Sequence, residues 1–258
     1  MPTVSIAIGS MMYERFSDLP NTISHVFAEF IDNAAGIGES KYQTAFMPAQ
    51  TPENNNELNE FGMGLKTAAL WLGESWTVTT KALNEGVERT ISFNLNEVSA
   101  NDLKELPVEL KLKDKNNHYT IVTITDTTKN VPAIKSLSKI KTELASIYRK
   151  SLRDKEMKLV VCGEELTFVE YEILTAPFAR TPNATPIYWK KNIDFKFGKY
   201  KAKGFIGILR DINSTQNGFV LLRRGRVIIG AETDGRYFPK CLSGSSGTFR
   251  YKRTFGEL

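Results

Sequence analysis

The sequence of 258 residues contains few of the residues that build metal centres, disulfide frameworks or membrane spans. Its two cysteines, Cys162 and Cys241, lie far apart without metal-type spacing, so we interpret them as free thiols in a reducing compartment. His25 and His118 are the only histidines, which argues against a zinc site or a histidine-based triad. No apolar run approaches the roughly 20 residues of a membrane helix, and no basic region precedes the short apolar run at the N-terminus. We therefore expect a cytoplasmic protein with no signal peptide and no membrane partner.

The charge is distributed unevenly along the chain. Residues 1–60 carry a net charge of −6, residues 61–176 are neutral, and residues 177–258 carry +11. A basic C-terminal third of this kind attracts polyanions such as duplex DNA. Two alternatives stay open: an ordinary solvated surface, or pairing of Arg223, Arg224 and Arg226 with the acidic N-terminal region.

The stretch Phe27–Gly38, FAEFIDNAAGIG, carries the first chemical motif. Apolar residues at helical spacing predict a helix over Tyr13–Asn33, which would put Glu29 and Asn33 one turn apart on one face. A carboxylate and a carboxamide placed in this way can hold a water molecule beside a hard cation. The pattern therefore predicts nucleotide hydrolysis if a phosphate site lies nearby.

The stretch Phe61–Leu70, FGMGLKTAAL, predicts that phosphate site. Gly62 and Gly64 let the backbone approach a ligand closely, and Lys66 adds a positive charge. We predict that a helix begins at Thr67, and the N–H groups at a helix N-terminus attract phosphate.

Together the two stretches resemble the GHKL superfamily, which includes gyrase, the ninety-kilodalton heat-shock chaperones, histidine kinases and MutL. The resemblance rests on E-x-x-D-N, on D-x-x-x-G-I-G and on G-x-G-L-K-T-A. It implies an α+β protein, with a GHKL (Bergerat) α/β sandwich built on a mixed sheet. It also implies that the protein binds ATP with Mg²⁺ and is an ATPase.

The resemblance also implies a role for each residue of the site. Glu29 would be the general base, Asn33 would ligate Mg²⁺, and Asp32 would accept a hydrogen bond from the adenine amino group. Gly36 and Gly38 would let the backbone approach the base, and Thr120 is either an adenine contact or an ordinary strand threonine. The implied nucleotide-binding set is Asp32, Asn33, Gly36, Gly38, Gly62, Met63, Gly64, Leu65, Lys66, Thr67 and Thr120.

Two segments depart from, or extend, the family pattern. In GHKL relatives a loop and at least one strand separate the helix motif from the aspartate turn, whereas here Asp32 and Asn33 belong to both. We therefore expect that a segment is missing between about Ile31 and Ala35.

The polar segment Met47–Glu60 holds two prolines, and the resemblance implies that it is a lid over ATP. An ordinary surface loop is the alternative.

Alternating apolar and polar residues predict most of the strands. In the first part of the chain we predict a strand at Thr3–Ile8, for which we consider an edge position in the sheet, a hairpin of Trp76–Lys81 with Glu88–Phe93, and a strand at Thr120–Thr125. We then predict a helix over Val131–Arg153 and a hairpin of Leu159–Cys162 with Leu166–Val169. Later strands are predicted at Ile193–Phe197, Lys203–Leu209 and Phe219–Arg223.

The segment 175–186, with three prolines, coincides with the change in charge, and we place a domain boundary there. The expected domains are 1–175, an ATP-binding domain, and 176–258, a second α/β domain. The second resembles the transducer (ribosomal S5 domain 2-like) of MutL and microrchidia (MORC) proteins. We expect it to be truncated at its C-terminus.

The resemblance implies an ATPase whose lid closes and whose ATP-binding domain forms a homodimer on binding ATP, and which acts on DNA in repair, compaction or phage defense. Relatives send a transducer lysine to the γ-phosphate, but Asn213–Asn217 contains none, so we expect slow hydrolysis. The alternative is an ATP-binding switch that does not hydrolyse, or a protein-interaction module. A histidine kinase is disfavoured, since no phosphoacceptor-type helical domain precedes the motifs.

Overall fold

We describe the fold from a computed structural model, in which residues 1–8, 28–47, 64–103, 105–232 and 235–258 are described. The helices are Glu39–Phe46 (α1), Gly64–Leu72 (α2), Leu95–Asn101 (α3), Leu137–Ile147 (α4), Arg149–Arg153 (α5), Lys240–Ser243 (α6) and Phe249–Arg253 (α7). The strands are Thr3–Ile8 (β1), Ala28–Asp32 (β2), Gly73–Lys81 (β3), Val87–Asn94 (β4), Val108–Leu112 (β5), Tyr119–Thr127 (β6), Lys158–Val161 (β7), Glu164–Glu165 (β8), Thr175–Ala176 (β9), Ile187–Tyr188 (β10), Lys190–Phe197 (β11), Tyr200–Ile208 (β12), Gly218–Arg223 (β13), Arg226–Ile229 (β14) and Thr254–Glu257 (β15).

The described residues form two compact units. Unit 1 comprises Met1–Lys139 with Lys155–Leu166, and unit 2 comprises Ile140–Asp154 with Thr167–Leu258. The proline-containing segment 175–186 connects β9 to β10, which pair with each other inside unit 2. The boundary between an ATP-binding and a transducer domain at residues 175 and 176 is a functional division, and it stays a prediction.

Unit 1 is built on an eight-stranded mixed sheet in the order β5-β4-β3-β6-β2-β1-β7-β8. The β1–β7 pair is parallel, and the other neighbours are antiparallel. The predicted hairpin is confirmed as β3 and β4, and the strand predicted at Thr120–Thr125 is confirmed as β6. The edge position considered for Thr3–Ile8 is wrong, because β1 lies between β2 and β7.

One face of this sheet forms the core of unit 1. Trp76 and Val78 of β3 are buried there with residues from the neighbouring strands, and Trp76 stacks on Phe93 with ring centroids 5.1 Å apart. Helices α1 and α2 cover this face through Tyr42, Phe46, Leu65, Ala69 and Leu72. Burial of alternate residues on β3 follows from the two-residue period of a strand, which puts every second side chain on the covered face.

The helix predicted over Tyr13–Asn33 is wrong where the structure describes it. Ala28–Asp32 is the strand β2, which pairs with β1 on one side and β6 on the other. Short segments with adjacent apolar residues, such as Phe30 and Ile31, fit either period, and pairing on both sides decides for the strand. Residues 13–27 lie outside the described part. The expected missing segment between Ile31 and Ala35 is a comparison with other sequences and stays a prediction.

Unit 2 has a five-stranded sheet in the order β11-β12-β15-β13-β14. The strands predicted at Ile193–Phe197, Lys203–Leu209 and Phe219–Arg223 are confirmed as β11, β12 and β13. β13 and β14 are joined by Arg224 and Gly225, both with positive φ, which is the conformation that a tight hairpin requires. The central strand β15 pairs with β12 and, in parallel, with β13.

Two predicted elements differ from those observed. The helix predicted over Val131–Arg153 starts at Leu137, after a 3-10 turn at Ile134–Ser136, and is interrupted at Tyr148. Of the predicted hairpin, the first strand is confirmed as β7, but the second strand predicted at Leu166–Val169 is wrong, because β7 pairs with Glu164–Glu165 (β8). Among the residues described, no helix is long and apolar enough to cross a membrane.

Candidate functional site

Three polar residues of unit 1 lie in one row across three neighbouring strands. Asp32, the last residue of β2, is paired with Thr120 of β6, and Thr120 is paired with Thr80 of β3. Directly opposed residues of antiparallel strands put their side chains on the same face, with Cβ atoms about 5 Å apart. The row lies on the face that α1 and α2 cover, because Thr80 follows Trp76 and Val78 at two-residue steps.

Thr80 fixes the orientation of the Thr120 hydroxyl. The buried Thr80 hydroxyl donates to the Tyr119 carbonyl at 3.2 Å and accepts from the Ile37 N–H at 2.8 Å. When the Thr80 hydrogen is given to the Tyr119 carbonyl, the contact with the Thr120 oxygen, at 3.0 Å, uses the Thr120 hydrogen, because a hydroxyl has only one to give. In that arrangement the lone pairs of Thr120 remain as acceptors for an N–H group of a ligand. Sequence reasoning missed Thr80, although its position two residues beyond Val78 on β3 was the available signal.

The Asp32 carboxylate begins a tight turn after β2. Its Oδ1 accepts from the Ala34 N–H at 2.8 Å, and the Ala34 carbonyl in turn contacts Nδ1 of His118 at 2.9 Å. The next residue, Ala35, accepts from the Leu83 N–H at 2.9 Å. One carboxylate oxygen is thus committed to the turn, which holds the half-buried group in place and leaves its second oxygen as an acceptor.

Gly36 has a structural reason to be glycine. Its φ is +72°, and a Cβ atom at this position would lie 2.2 Å from the Lys81 carbonyl oxygen. The close approach seen here is to strand β3 of the protein itself, and the predicted approach of the Gly36 backbone to an adenine base stays a prediction. Gly38 differs: it precedes α1 with φ −74°, and its added Cβ would meet the end of the flexible Glu85 side chain.

Replacing Gly36 by alanine should lower the free energy of unfolding of unit 1 by about 1–3 kcal/mol, because the turn must move away from β3 and adopt a strained φ. Chemical denaturation followed by tryptophan fluorescence measures this change. Gly64→Ala is the matched control, since no atom of the described residues lies within 4 Å of the added Cβ and alanine favours the helix. Equal losses in the two variants would contradict the packing role of Gly36.

The loop beside Gly36 is held by charged groups to which the sequence analysis gave no role. Lys81 is fully buried, and its Nζ donates to the carbonyls of Ala82 at 2.7 Å, Asn117 at 3.1 Å and Glu85. Glu85 accepts from the Glu39 N–H at 2.9 Å and from Arg89, and these hydrogen bonds, that from Arg89 first, lower the pKa of its carboxyl. These contacts tie the start of α1 to the β3–β4 hairpin.

The predicted phosphate site is only partly described. Gly62 and Met63 lie outside the described residues, whereas Gly64, Leu65, Lys66 and Thr67 form the first turn of α2. The helix therefore begins three residues earlier than predicted. Leu65 packs into the core, and Thr67 donates to the Gly64 carbonyl at 3.3 Å. Lys66 donates to the Met47 carbonyl at the end of α1, and burial lowers the pKa of its amine.

The helical spacing from which the pairing of Glu29 with Asn33 was predicted is wrong, and the role of Glu29 stays a prediction. In a strand, positions i and i+4 share a face but are about 13 Å apart, compared with about 6 Å along a helix. Glu29 lies in β2, and its partner in the strand register is Thr123 of β6. Asn33 is exposed, and its Oδ1 accepts from the Thr3 N–H at 2.6 Å, while its own N–H donates to the Thr3 carbonyl at 3.2 Å. The amide joins β1 to β2 and does not fit the role of a Mg²⁺ ligand.

Comparison with known proteins shows that part of the chain is similar to one family of ATPases. Residues 23–129 match the family model described as histidine kinase-, DNA gyrase B-, and HSP90-like ATPase. The match contains Asp32, the Gly36 turn, α2 and Thr120 and thus the whole candidate site. No curated protein sequence matches the chain.

Solved structures give weaker likenesses. The ATPase region of Saccharomyces cerevisiae topoisomerase II is 9% identical with a TM-score of 0.49, and covers 87% of this chain and 56% of its own. The ATPase and transducer domains of DNA topoisomerase II from Balamuthia mandrillaris are 10% identical with a TM-score of 0.48. This match covers 87% of the present chain and 54% of the topoisomerase chain. The chain thus spans little more than half the length of these structures, and we draw no function from them. The family match and the mixed sheet of unit 1 confirm the predicted GHKL-type α+β fold for residues 23–129.

Proposed function

We propose that unit 1 binds ATP and hydrolyses it slowly. The observation that carries the proposal is the row of Asp32, Thr120 and Thr80 within a GHKL-type domain. A saturable binding isotherm with ATP would support the binding step. A calorimetric titration without measurable binding at high ATP concentration would contradict it.

The row suits the edge of an adenine base. The second oxygen of Asp32 would accept from the exocyclic amino group, and the Thr120 oxygen offers a further acceptor beside it. Guanine carries a carbonyl at the corresponding position, and two acceptors facing each other repel, so the site would select adenine. The cationic Lys66 and the first turn of α2 would hold the phosphates.

Slow hydrolysis follows from what the described residues provide. Glu29 would act as the general base, but the strand β2 does not pair it with a metal-binding amide in the way that the sequence pattern predicted. Asn33 does not fit a Mg²⁺ site, so no step of the proposal passes through that ion. Asn213–Asn217 also lacks the lysine that relatives direct to the γ-phosphate.

Glu29→Ala should reduce steady-state ATP turnover by about 10²–10⁴-fold and leave ATP affinity within about threefold, because a general base acts on water and not on the nucleotide. Glu74→Ala is the control, since Glu74 is an exposed carboxylate at the start of β3 that accepts from Asn96 at 3.2 Å. If turnover is unchanged in Glu29→Ala, Glu29 has no part in the mechanism.

Lid closure and ATP-dependent homodimerisation belong to the same proposal and rest on the resemblance. Of the lid at residues 47–60, only Met47 lies within the described residues. Light scattering should give a larger mass with a non-hydrolysable ATP analogue than with ADP. An equal mass in both states would argue against an ATP-gated dimer.

A MutL- or MORC-like action on duplex DNA, in repair, compaction or phage defense, is the proposed role of unit 2. The hairpin of β11 and β12 carries six lysines and one aspartate between residues 190 and 203. Lys196 is paired directly with Lys201, and like charges in opposed positions repel each other unless an anion lies between them. A phosphate backbone would supply such an anion.

Binding to duplex DNA should weaken with salt, with log K falling by about 0.9 per phosphate contact for each unit of log salt concentration. Replacing Lys196 and Lys201 by glutamine should reduce the steepness of this salt dependence by the equivalent of about two phosphate contacts. The affinity for ATP should not change. Lys203, which pairs with Asp194 at 3.0 Å, gives the control Lys203→Gln. A gel-shift titration without any shift at low salt would end this part of the proposal.

A further inference from the structure

Strand β5 lies at an edge of the unit 1 sheet. Among the described residues its only neighbouring strand is β4, and all five residues of Val108–Leu112 are exposed. An exposed strand edge presents unpaired N–H and C=O groups and is a template for pairing with another strand.

The backbone groups that face this edge can be assigned from the β4–β5 ladder. The Lys113 N–H donates to the Gly86 carbonyl at 3.0 Å, and the register pairs Lys111 with Glu88 and Glu109 with Thr90. Hydrogen-bonded pairs alternate along an antiparallel ladder, so Glu109 and Lys111 direct their backbone groups to β4. Val108, Leu110 and Leu112 direct theirs to the open edge.

The side chains of β5 alternate in the same way. Val108, Leu110 and Leu112 form an apolar stripe on one face, with exposures of 39%, 65% and 87%. Glu109 and Lys111 lie on the other face, and neither forms an ion pair with a described residue within 4.0 Å. The strand therefore exposes apolar surface, backbone groups and one charge of each sign together.

The sequence VELKL is complementary to itself in an antiparallel arrangement. If two copies pair about Leu110, Glu109 of each copy lies opposite Lys111 of the other, and Val108 lies opposite Leu112. Centring the pair on Lys111 would oppose two lysines, and centring it on Glu109 would oppose two glutamates, both of which are unfavourable. Only the register about Leu110 pairs opposite charges throughout.

We propose that β5 is a docking edge for β5 of a second copy of this chain, with a two-fold axis at Leu110. The contact forms about six backbone hydrogen bonds, two crossed Glu109–Lys111 pairs and a continuous apolar stripe. It needs no nucleotide and does not rest on the ATP proposal. A single pair of short strands is a small interface, so the dimer is weak and depends on concentration.

Sedimentation equilibrium of the full chain without nucleotide tests the proposal. The wild type should associate reversibly, and Glu109→Lys or Lys111→Glu alone should each weaken self-association at least about tenfold, because like charges then face each other. An equimolar mixture of the two variants should associate again, since a strand with two lysines then faces one with two glutamates. Glu109→Lys is the safer variant for folding, because Lys111 lies opposite the buried Glu88.

Three results would overturn the proposal. These are a wild type that stays monomeric at every concentration, single variants that associate as well as the wild type, and a mixture of folded variants that associates no better than each alone. Far-ultraviolet circular dichroism of each variant shows whether it is folded. If Lys111→Glu does not fold, the self-association of Glu109→Lys alone still decides. Glu109→Gln then serves as an intermediate variant, because it removes the attraction to Lys111 without adding repulsion. Its self-association should be weaker than that of the wild type and stronger than that of Glu109→Lys.

Discussion

Replacing Glu257 by alanine is expected to lower the free energy of unfolding of unit 2 by about 3–5 kcal/mol, because it leaves the buried cation of Arg149 without an anion and removes two hydrogen bonds of Arg153. Glu257 lies in the central strand β15 and is 7% exposed. Its two carboxylate oxygens accept from Nη1 and Nη2 of Arg153 at 2.8 and 3.0 Å. The guanidinium of Arg149, which is fully buried, lies 3.4 Å from the same carboxylate.

The two arginines are held by further contacts that make this arrangement rigid. Nε of Arg149 donates to the Ser146 carbonyl at 2.9 Å, and its guanidinium lies over the Phe168 ring, 4.5 Å from the centroid. Burial opposes the charge of Arg153, but its hydrogen bonds to Glu257 and Glu170 outweigh this and raise its pKa. Without Glu257 the buried Arg149 would lose the anion that compensates its desolvation, and Arg153 would keep only Glu170.

Urea denaturation followed through Trp189, the one tryptophan of unit 2, measures the loss. Glu170→Ala is the matched control: Glu170 pairs with Nε of Arg153 at 2.6 Å, but its side chain is 57% exposed, so its removal should cost less than about 1 kcal/mol. Equal stability of Glu257→Ala and the wild type would show that the pair contributes nothing net.

The second large effect is expected at Asp32. Asp32→Asn should weaken ATP binding by about 10–100-fold, the loss of one hydrogen bond to a charged acceptor. Asparagine keeps one oxygen, which can serve either the Ala34 N–H or the adenine amino group. The NH₂ group of the asparagine then faces whichever of these two donors the oxygen does not serve. One of the two hydrogen bonds is therefore lost in either orientation of the amide.

Asp114→Asn is a control of the same chemistry. Oδ1 of Asp114 accepts from the Asn116 N–H at 2.8 Å in an exposed turn, which repeats the turn made by Asp32. Isothermal titration should give the same ATP affinity for Asp114→Asn and the wild type. Equal affinities for Asp32→Asn and the wild type would remove Asp32 from the adenine site.

The strands could be predicted from the sequence because alternation over six or more residues has a single interpretation. β3, β6 and β12 carry β-branched and apolar residues at every second position, and the structure places these residues in sheets. The five residues of β2 are too few to distinguish a helix from a strand, and pairing with β1 and β6 decides between them. Such pairing joins residues far apart in the sequence, and no local pattern contains it.

Part of the site could be predicted for the same reason, and part could not. The motif pointed to Asp32 and Gly36, and the structure gives both a defined place in one turn. Lys81, by contrast, is a lysine beside a hairpin turn, a pattern that indicates a solvated residue. Three carbonyls from separate parts of the chain surround its amine only after folding. Its burial is therefore a property of the fold and not of the local sequence.

The measurement that tests the central claim most directly is a calorimetric titration of the wild type with ATP and, separately, with GTP. The row of Asp32, Thr120 and Thr80 predicts saturable binding of ATP at one site per chain and binding of GTP at least about tenfold weaker, because guanine presents a carbonyl to the Asp32 oxygen. No measurable binding of ATP, or equal affinity for the two nucleotides, would contradict the assignment of this row as the adenine site.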